Sequence, residues 1–257
     1  MADWTVPLPV RRVEASPYAA LPEDRWPLTV PAVAQFMRDG LDLEPATILV
    51  GENGSGKSTI VEAVAMAYGL SGEGGSVNAR HSTRATESPL HEALRLVRGA
   101  GASRWGYFLR AETMHGHFTY LEDVGVDGDE LRPDRPRRDP AFHELSHGES
   151  FLEMLRTRRF EGEGFFVMDE PEAGLSFSAQ LALVGTLAQL SGQRGTQVLV
   201  ATHSPILTSL PGARILELDE TGMHERAWED LDVVDHYRRF LEGPARYLRH
   251  LLPADDA

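Results

Sequence analysis

Gly51-Glu52-Asn53-Gly54-Ser55-Gly56-Lys57-Ser58 follows the apolar run Thr47–Val50 and leads into the helix-patterned run Thr59–Tyr68. This is the complete P-loop pattern in its proper strand–loop–helix setting. Glycines let the backbone curl so that successive N–H groups converge on phosphate oxygens. The helix N-terminus behind them adds partial positive charge. Lys57 is expected to reach the outer phosphates as a compact ammonium, and Ser58 to place its hydroxyl on Mg²⁺. Thr59 is placed for a further phosphate contact. Gly51, Asn53, Gly54, Ser55, Gly56, Lys57, Ser58 and Thr59 are therefore the expected nucleotide-binding residues, and ATP with Mg²⁺ the expected ligand.

One count sharpens this reading. Lysine plus arginine is 25, yet the chain has a single lysine, Lys57. The one ammonium side chain sits in the motif that needs one.

Composition sets outer limits. The 257 residues are 42% hydrophobic and 25% charged, ordinary for a globular chain. They suffice for one large domain with a small inserted lobe. Absence of cysteine removes disulfides, thiolate metal sites and cysteine catalysis, and makes a cytoplasmic location the expectation. No apolar run approaches bilayer-spanning length, and Met1–Val10 lacks the order of a signal peptide. A net charge of −14 disfavours general attraction to a phosphate backbone. Arginine clusters at 132–138, 156–159 and 238–249 suit either local nucleic-acid contact or a solvated surface.

Further strand-like runs are Trp105–Leu109, Phe165–Met168 and Val198–Ala201. Short and nearly all apolar, they suit a sheet covered on both faces. Helical spacing is expected over Ser178–Leu190, with Leu181, Val184, Leu187 and Leu190 as its stripe and Leu183 and Ala188 widening it, and over Val233–Leu252 with a break near Gly243–Pro244. The alternation implies an α/β fold with a mainly parallel sheet. Ile215–Leu218 and Met223–Ala227 flank Asp219–Gly222 as a hairpin. The irregular stretches Ser71–Pro89 and Asp127–Pro140 place an inserted lobe at about 71–150 in a single domain, 1–257.

Phe165-Phe166-Val167-Met168-Asp169-Glu170 has the form of a Walker B strand. Asp169 is expected at the Mg²⁺ shell, and Glu170 to orient and polarise an attacking water. Val198–His203 ends a second strand on an imidazole that can bond the γ-phosphate or that water. Leu145-Ser146-His147-Gly148-Glu149 precedes a helix expected over Ser150–Arg159. Ser146 and Gly148 fit a phosphate site there, and an ordinary helix cap fits equally.

In this order the motifs resemble those of the ABC-type ATPases: P-loop, signature, Walker B with glutamate, then switch histidine. Leu145–Glu149 looks like the signature, with His147 in place of its first glycine and Glu149 in place of its glutamine. Asp169–Ser176 is similar to the RecF-, SMC- and OLD-like branches. Leu145–Phe151, Asp169–Ser176 and Ala201–Leu207 look like the LSHGESF, DEPEAxLS and ATHSPIL runs of bacterial AAA family ATPases. The similarity spans about Trp26 to Leu252. It implies an ABC-ATPase-like sheet flanked by helices, with an antiparallel β part and a small inserted helical lobe.

The resemblance also implies a head-to-tail homodimer closed by ATP, with Ser146, Gly148 and Glu149 facing the partner's nucleotide and Glu170 and His203 catalytic. Glu112, following the second strand, is placed like the family's Q-loop residue and would join Ser58 and Asp169 at the metal. A soluble motor or switch acting on nucleic acid or a protein partner is the leading reading. A transporter's nucleotide-binding subunit and a nucleotide-gated interaction module with little turnover are the alternatives.

Overall fold

The computed structural model describes residues 7–76, 88–111 and 147–249, with the side chains of 147–149 outside the description. Its centre is a seven-stranded sheet in the order β10-β9-β3-β8-β7-β6-β4. The strands are β3 (Ala46–Gly51), β4 (Gly75–Ser76), β6 (Gly106–Arg110), β7 (Gly164–Asp169), β8 (Thr196–Thr202), β9 (Arg214–Asp219) and β10 (Gly222–Glu225). The five central strands run parallel, and the edges β4 and β10 antiparallel. A smaller antiparallel sheet, β2-β1-β5, joins Arg12–Ala15 (β1), Leu41–Asp42 (β2) and Leu94–Val97 (β5). The fold is thus α/β with a mostly parallel sheet and antiparallel additions.

Side-chain alternation explains why the central strands are apolar on both faces. Phe165, Val167, Leu199 and Ala201 pack with Phe36, Ile60, Val61 and Val64 on one face. Phe166, Met168, Val198 and Val200 pack with Phe151, Met154, Leu183 and Leu187 on the other. The first face is covered by α1 (Pro31–Asp39) and α2 (Lys57–Tyr68), and the second by α3 (His147–Leu155) and α4 (Phe177–Ser191). Two side-chain amides extend the backbone pairing. Gln35 of α1 donates to Met223 O at 3.1 Å and accepts from Met223 N at 2.7 Å, so it completes edge strand β10 as a neighbouring strand would. Gln197 does the same for Val10, at 2.9 and 2.7 Å, and ties the N-terminal segment to β8.

The expected strands and hairpin are present, the hairpin pairing Asp219 with Gly222. Two helical expectations need correction, while the expected break of the C-terminal helix near Gly243–Pro244 is present. On α4 the buried stripe is Leu183, Leu187 and Leu190, while Leu181 is 49% exposed. Leu181 lies two residues, about 200°, from Leu183 and so belongs to the opposite face. The helix expected over Ser150–Arg159 is α3, His147–Leu155. It stops where Thr157 turns extended and its hydroxyl donates to Met154 O at 2.7 Å, before a short 3₁₀ turn at Arg158–Phe160. The C-terminal helix divides into α5 (Asp232–Glu242) and α6 (Ala245–Leu248) at Gly243–Pro244, and residues 250–252 lie outside the described residues. Most of the expected lobe at 71–150 also lies outside them. No helix among the described residues is long and apolar enough to cross a membrane.

Candidate functional site

The C-terminal ends of β3, β7 and β8 meet at one edge of the sheet. In open parallel sheets this edge is where ligands bind. From β3 the chain enters the loop 51–56, where Gly51, Gly54 and Gly56 all have positive φ (154°, 81° and 101°). Two of these glycines also answer a steric demand. A Cβ on Gly51 would lie 2.2 Å from Leu218 O of the neighbouring β9, and one on Gly56 would lie 2.9 Å from Val33 Cγ2.

Lys57 opens α2 and is 3% exposed. Its ammonium folds back over the loop and donates to Gly51 O and Glu52 O, both at 2.9 Å. Two of its three N–H bonds are therefore engaged within the loop. Burial pushes the Lys57 ammonium below its ordinary value of 10.5, against the opposing pull of Glu170, Asp169, Glu172 and Glu52.

Ser58, one residue on, donates its hydroxyl to Asp169 Oδ1 at 2.9 Å. Asp169, at the end of β7, is 4% exposed. Arg110 stands opposite it in register, with Nε 3.6 Å from Asp169 Oδ2, and also donates to Glu62 Oε2 of α2 at 2.8 Å. The hydroxyl and carboxylate oxygens fit a hard divalent cation such as Mg²⁺, which takes oxygen ligands and usually only one or two from protein carboxylates. Among the described residues no group of three His, Asp or Glu side chains could hold a metal alone. A cation between Ser58 and Asp169 would draw the rest of its shell from phosphate oxygens and water.

Glu170 is the one non-glycine described residue with positive φ, at 50°. For an acidic residue that left-handed geometry costs on the order of 1–3 kcal/mol and is characteristic of functional sites. Its backbone N–H donates to Ala201 O at 2.9 Å. The turn brings Glu170 Oε1 to 3.1 Å from His203 Nε2, across from β8. Both side chains remain about one-third exposed, open to solvent and substrate.

Sequence reading missed the residue that holds this histidine. Glu172 Oε1 accepts from the His203 backbone N–H at 2.6 Å and from the Thr202 hydroxyl at 2.7 Å. Thr202 Oγ1 then accepts from Ser204 N at 2.9 Å, and Ser204 Oγ donates to Gln180 Oε1 of α4 at 2.6 Å. The legible signal was a third acidic residue in Asp169-Glu170-Pro171-Glu172. Glu172→Ala strands the Thr202 hydroxyl and the His203 N–H. A loss of about 1–3 kcal/mol is expected, read as a lower urea midpoint. Glu172→Gln keeps an acceptor oxygen and is expected to lose less.

Gly51, Asn53, Gly54, Ser55, Gly56, Lys57, Ser58, Thr59, Asp169, Glu170 and His203 are thus gathered at one edge of one sheet. Gly148 and Glu149 lie in the first turn of α3. Ser146 and Glu112 lie outside the described residues.

Two family models match the chain. One described as "AAA domain" covers residues 36–96, and one described as "AAA domain, putative AbiEii toxin, Type IV TA system" covers 150–209. The first match contains the P-loop, and the second contains Asp169, Glu170 and His203. An "Uncharacterized ABC transporter ATP-binding protein" of Haemophilus influenzae is 23% identical over 201 residues, 73% of this chain and 75% of that protein. A solved structure titled "An inward-facing conformation of a putative metal-chelate type ABC transporter" aligns over 91% of this chain and 89% of its own, at 15% identity and TM-score 0.47. The "SMC head domain from Thermotoga maritima" aligns over 73% and 92%, at 16% identity and TM-score 0.39. Loop geometry and the two family matches agree on a P-loop nucleotide-binding domain of the ATPase type.

Proposed function

We propose that the chain binds Mg-ATP and hydrolyses it, as an ABC-type ATPase of the RecF/SMC/OLD-like branch. One observation carries this reading: Ser58–Asp169 and Glu170–His203 flank Lys57 at a single strand edge. Lys57 and the loop N–H groups hold the phosphates. Ser58 and Asp169 would hold Mg²⁺, which would supply charge neutralisation on the phosphate oxygens when bound. Glu170 accepts a proton from the attacking water, and His203 keeps that carboxylate in place and can bond the γ-phosphate.

The site keeps Glu170 and His203 about one-third exposed. In this reading Ser146, Gly148 and Glu149 of a second copy close it in a head-to-tail homodimer, and Glu112 adds a metal contact. The lobe at about 71–150 belongs to the same single domain. The ATPase then works as a cytoplasmic motor or switch on nucleic acid or a protein partner. The name of the Haemophilus relative favours a second reading, the nucleotide-binding subunit of a transporter. Stable co-purification with a membrane subunit would select it.

Phosphate release from ATP that requires Mg²⁺ tests the proposal, and its absence at all protein concentrations would leave only a nucleotide-gated module. A pH series isolates Lys57. Its lowered pKa means that tripolyphosphate affinity falls as pH rises, beginning below the ordinary lysine value of 10.5, while every arginine stays charged. The effect on folding has the opposite sign. The unfolded chain holds the Lys57 proton to higher pH than the folded chain, so this group's contribution to stability rises across the same window. Titration calorimetry and denaturant midpoints at matched pH separate the two. Affinity that stays flat to pH 10.5 or above would remove Lys57 from the site.

A further inference from the structure

The strand order that places the hydrolytic groups also fixes the direction of the rest of the nucleotide. Asp169 and Glu170 end β7 and His203 follows β8, both on one side of the P-loop strand β3. A nucleotide with its γ-phosphate toward those groups extends its other end toward β9. A cleft of about 1090 Å³ opens directly from Gly51–Ser55 and runs from His203 past Leu218 and Asp219 of β9 to α5. That is the size of a small-molecule site.

The outer wall of this cleft is aromatic. Tyr237 and Phe240 of α5 line it at 55% and 40% exposure, joined by Tyr247 of α6. Tyr247 meets Phe240 edge-on, with centroids 5.8 Å apart at 78°, and its hydroxyl lies 3.2 Å from His236 Nδ1. The wall is anchored. Glu217 of β9 accepts from the Asp232 backbone N–H at 2.8 Å, at the start of α5, and Leu231 and Val234 pack with Val50 and Ile215. Val30 and Pro31 also line the cleft.

The charge of the lining separates base from phosphate. Glu52, Glu217, Asp219, Glu220 and Asp232 all line the cleft. Three hydrogen bonds from Thr221 and Gly222 reach Asp219 Oδ1, and those from Thr221 lead in holding its carboxyl below the usual range. Such carboxylates repel a triphosphate and accept from ring or exocyclic N–H groups. Exposed aromatic faces beside them suit a flat heterocycle.

We propose that α5 and α6 form the base-binding wall of the nucleotide site, with the purine stacked on Tyr237 and Phe240 and its amino edge toward the carboxylates. This rests on the P-loop reading above. It makes the C-terminal helices part of the ligand site.

Titration calorimetry of the full chain with ATP and with inorganic tripolyphosphate tests it. The paired substitution Tyr237→Ala with Phe240→Ala is expected to weaken ATP roughly five- to a hundredfold, the range for loss of base–aromatic stacking. Tripolyphosphate binding is expected to be unchanged, and Tyr237→Phe to retain ATP affinity. ATP affinity unchanged in the paired variant overturns the wall while leaving the P-loop reading intact. A parallel fall for tripolyphosphate overturns it too, because the aromatics would then be acting on the loop's structure. Wild-type protein that binds neither ligand removes the P-loop reading itself.

Discussion

Glu170→Gln is expected to bind ATP and lose hydrolysis by about 10²–10⁴-fold, the span of general-base catalysis. The change is nearly isosteric. It keeps an oxygen that can face His203 Nε2, now at 3.1 Å from Glu170 Oε1, and glutamine is no worse suited than glutamate to a φ of 50°. The basicity is removed together with the negative charge that Glu170 presents to Lys57. With product formation blocked and binding intact, the variant is expected to accumulate an ATP-dependent dimer. Steady-state phosphate release and size-exclusion chromatography with and without ATP check both parts. Turnover equal to wild type would show that another group takes the proton.

Gly51→Ala is the second large effect. Gly51 is where β3 becomes the phosphate loop, and it pairs in register with Leu218. Its new methyl would lie 2.2 Å from Leu218 O, a backbone atom inside the sheet that cannot swing aside. Left-handed strain and overpacking each cost on the order of 1–3 kcal/mol. The expected sum is about 2–6 kcal/mol of stability, with weakened tripolyphosphate binding because the loop and Lys57's acceptor at Gly51 O move together. Gly54→Ala is the internal control. It shares a positive φ, 81°, but its methyl would meet nothing within 4 Å. It is therefore expected to show the backbone strain alone. Denaturant midpoints that fall equally in both variants would mean that the contact with Leu218 is not what Gly51 avoids.

Much of this arrangement was legible because its signals are local. The P-loop, the apolar strand ahead of Asp169 and the strand ending at His203 each announce themselves in consecutive residues. The parallel order follows once strands alternate with helices. An antiparallel part was implied only by the resemblance, and its strands β1, β2 and β5 were not placed, because they are short and carry charged residues, as in Arg12-Val13-Glu14-Ala15. Helix α1 also escaped, since Val30 at its N-cap offers no side-chain cap, and the start signal of Pro31 was passed over. Glu172 was passed over for a different reason. Its importance lies in bonds to residues thirty positions away, and no spacing rule links 172 to 202. The left-handed turn at Glu170 was equally invisible, because simple strand alternation predicts where a side chain points only while the strand continues.

The buried lysine has a chemical consequence. Because every other basic side chain that is not histidine is a guanidinium, the outer surface offers acylating or aldehyde reagents no lysine amine. The one side-chain amine that can take an acetyl group or form a Schiff base is 3% exposed and bonded into the phosphate loop. Acylation there would delete the ammonium charge. Lysine-directed covalent labelling of this chain is therefore labelling of the Gly51–Ser58 loop.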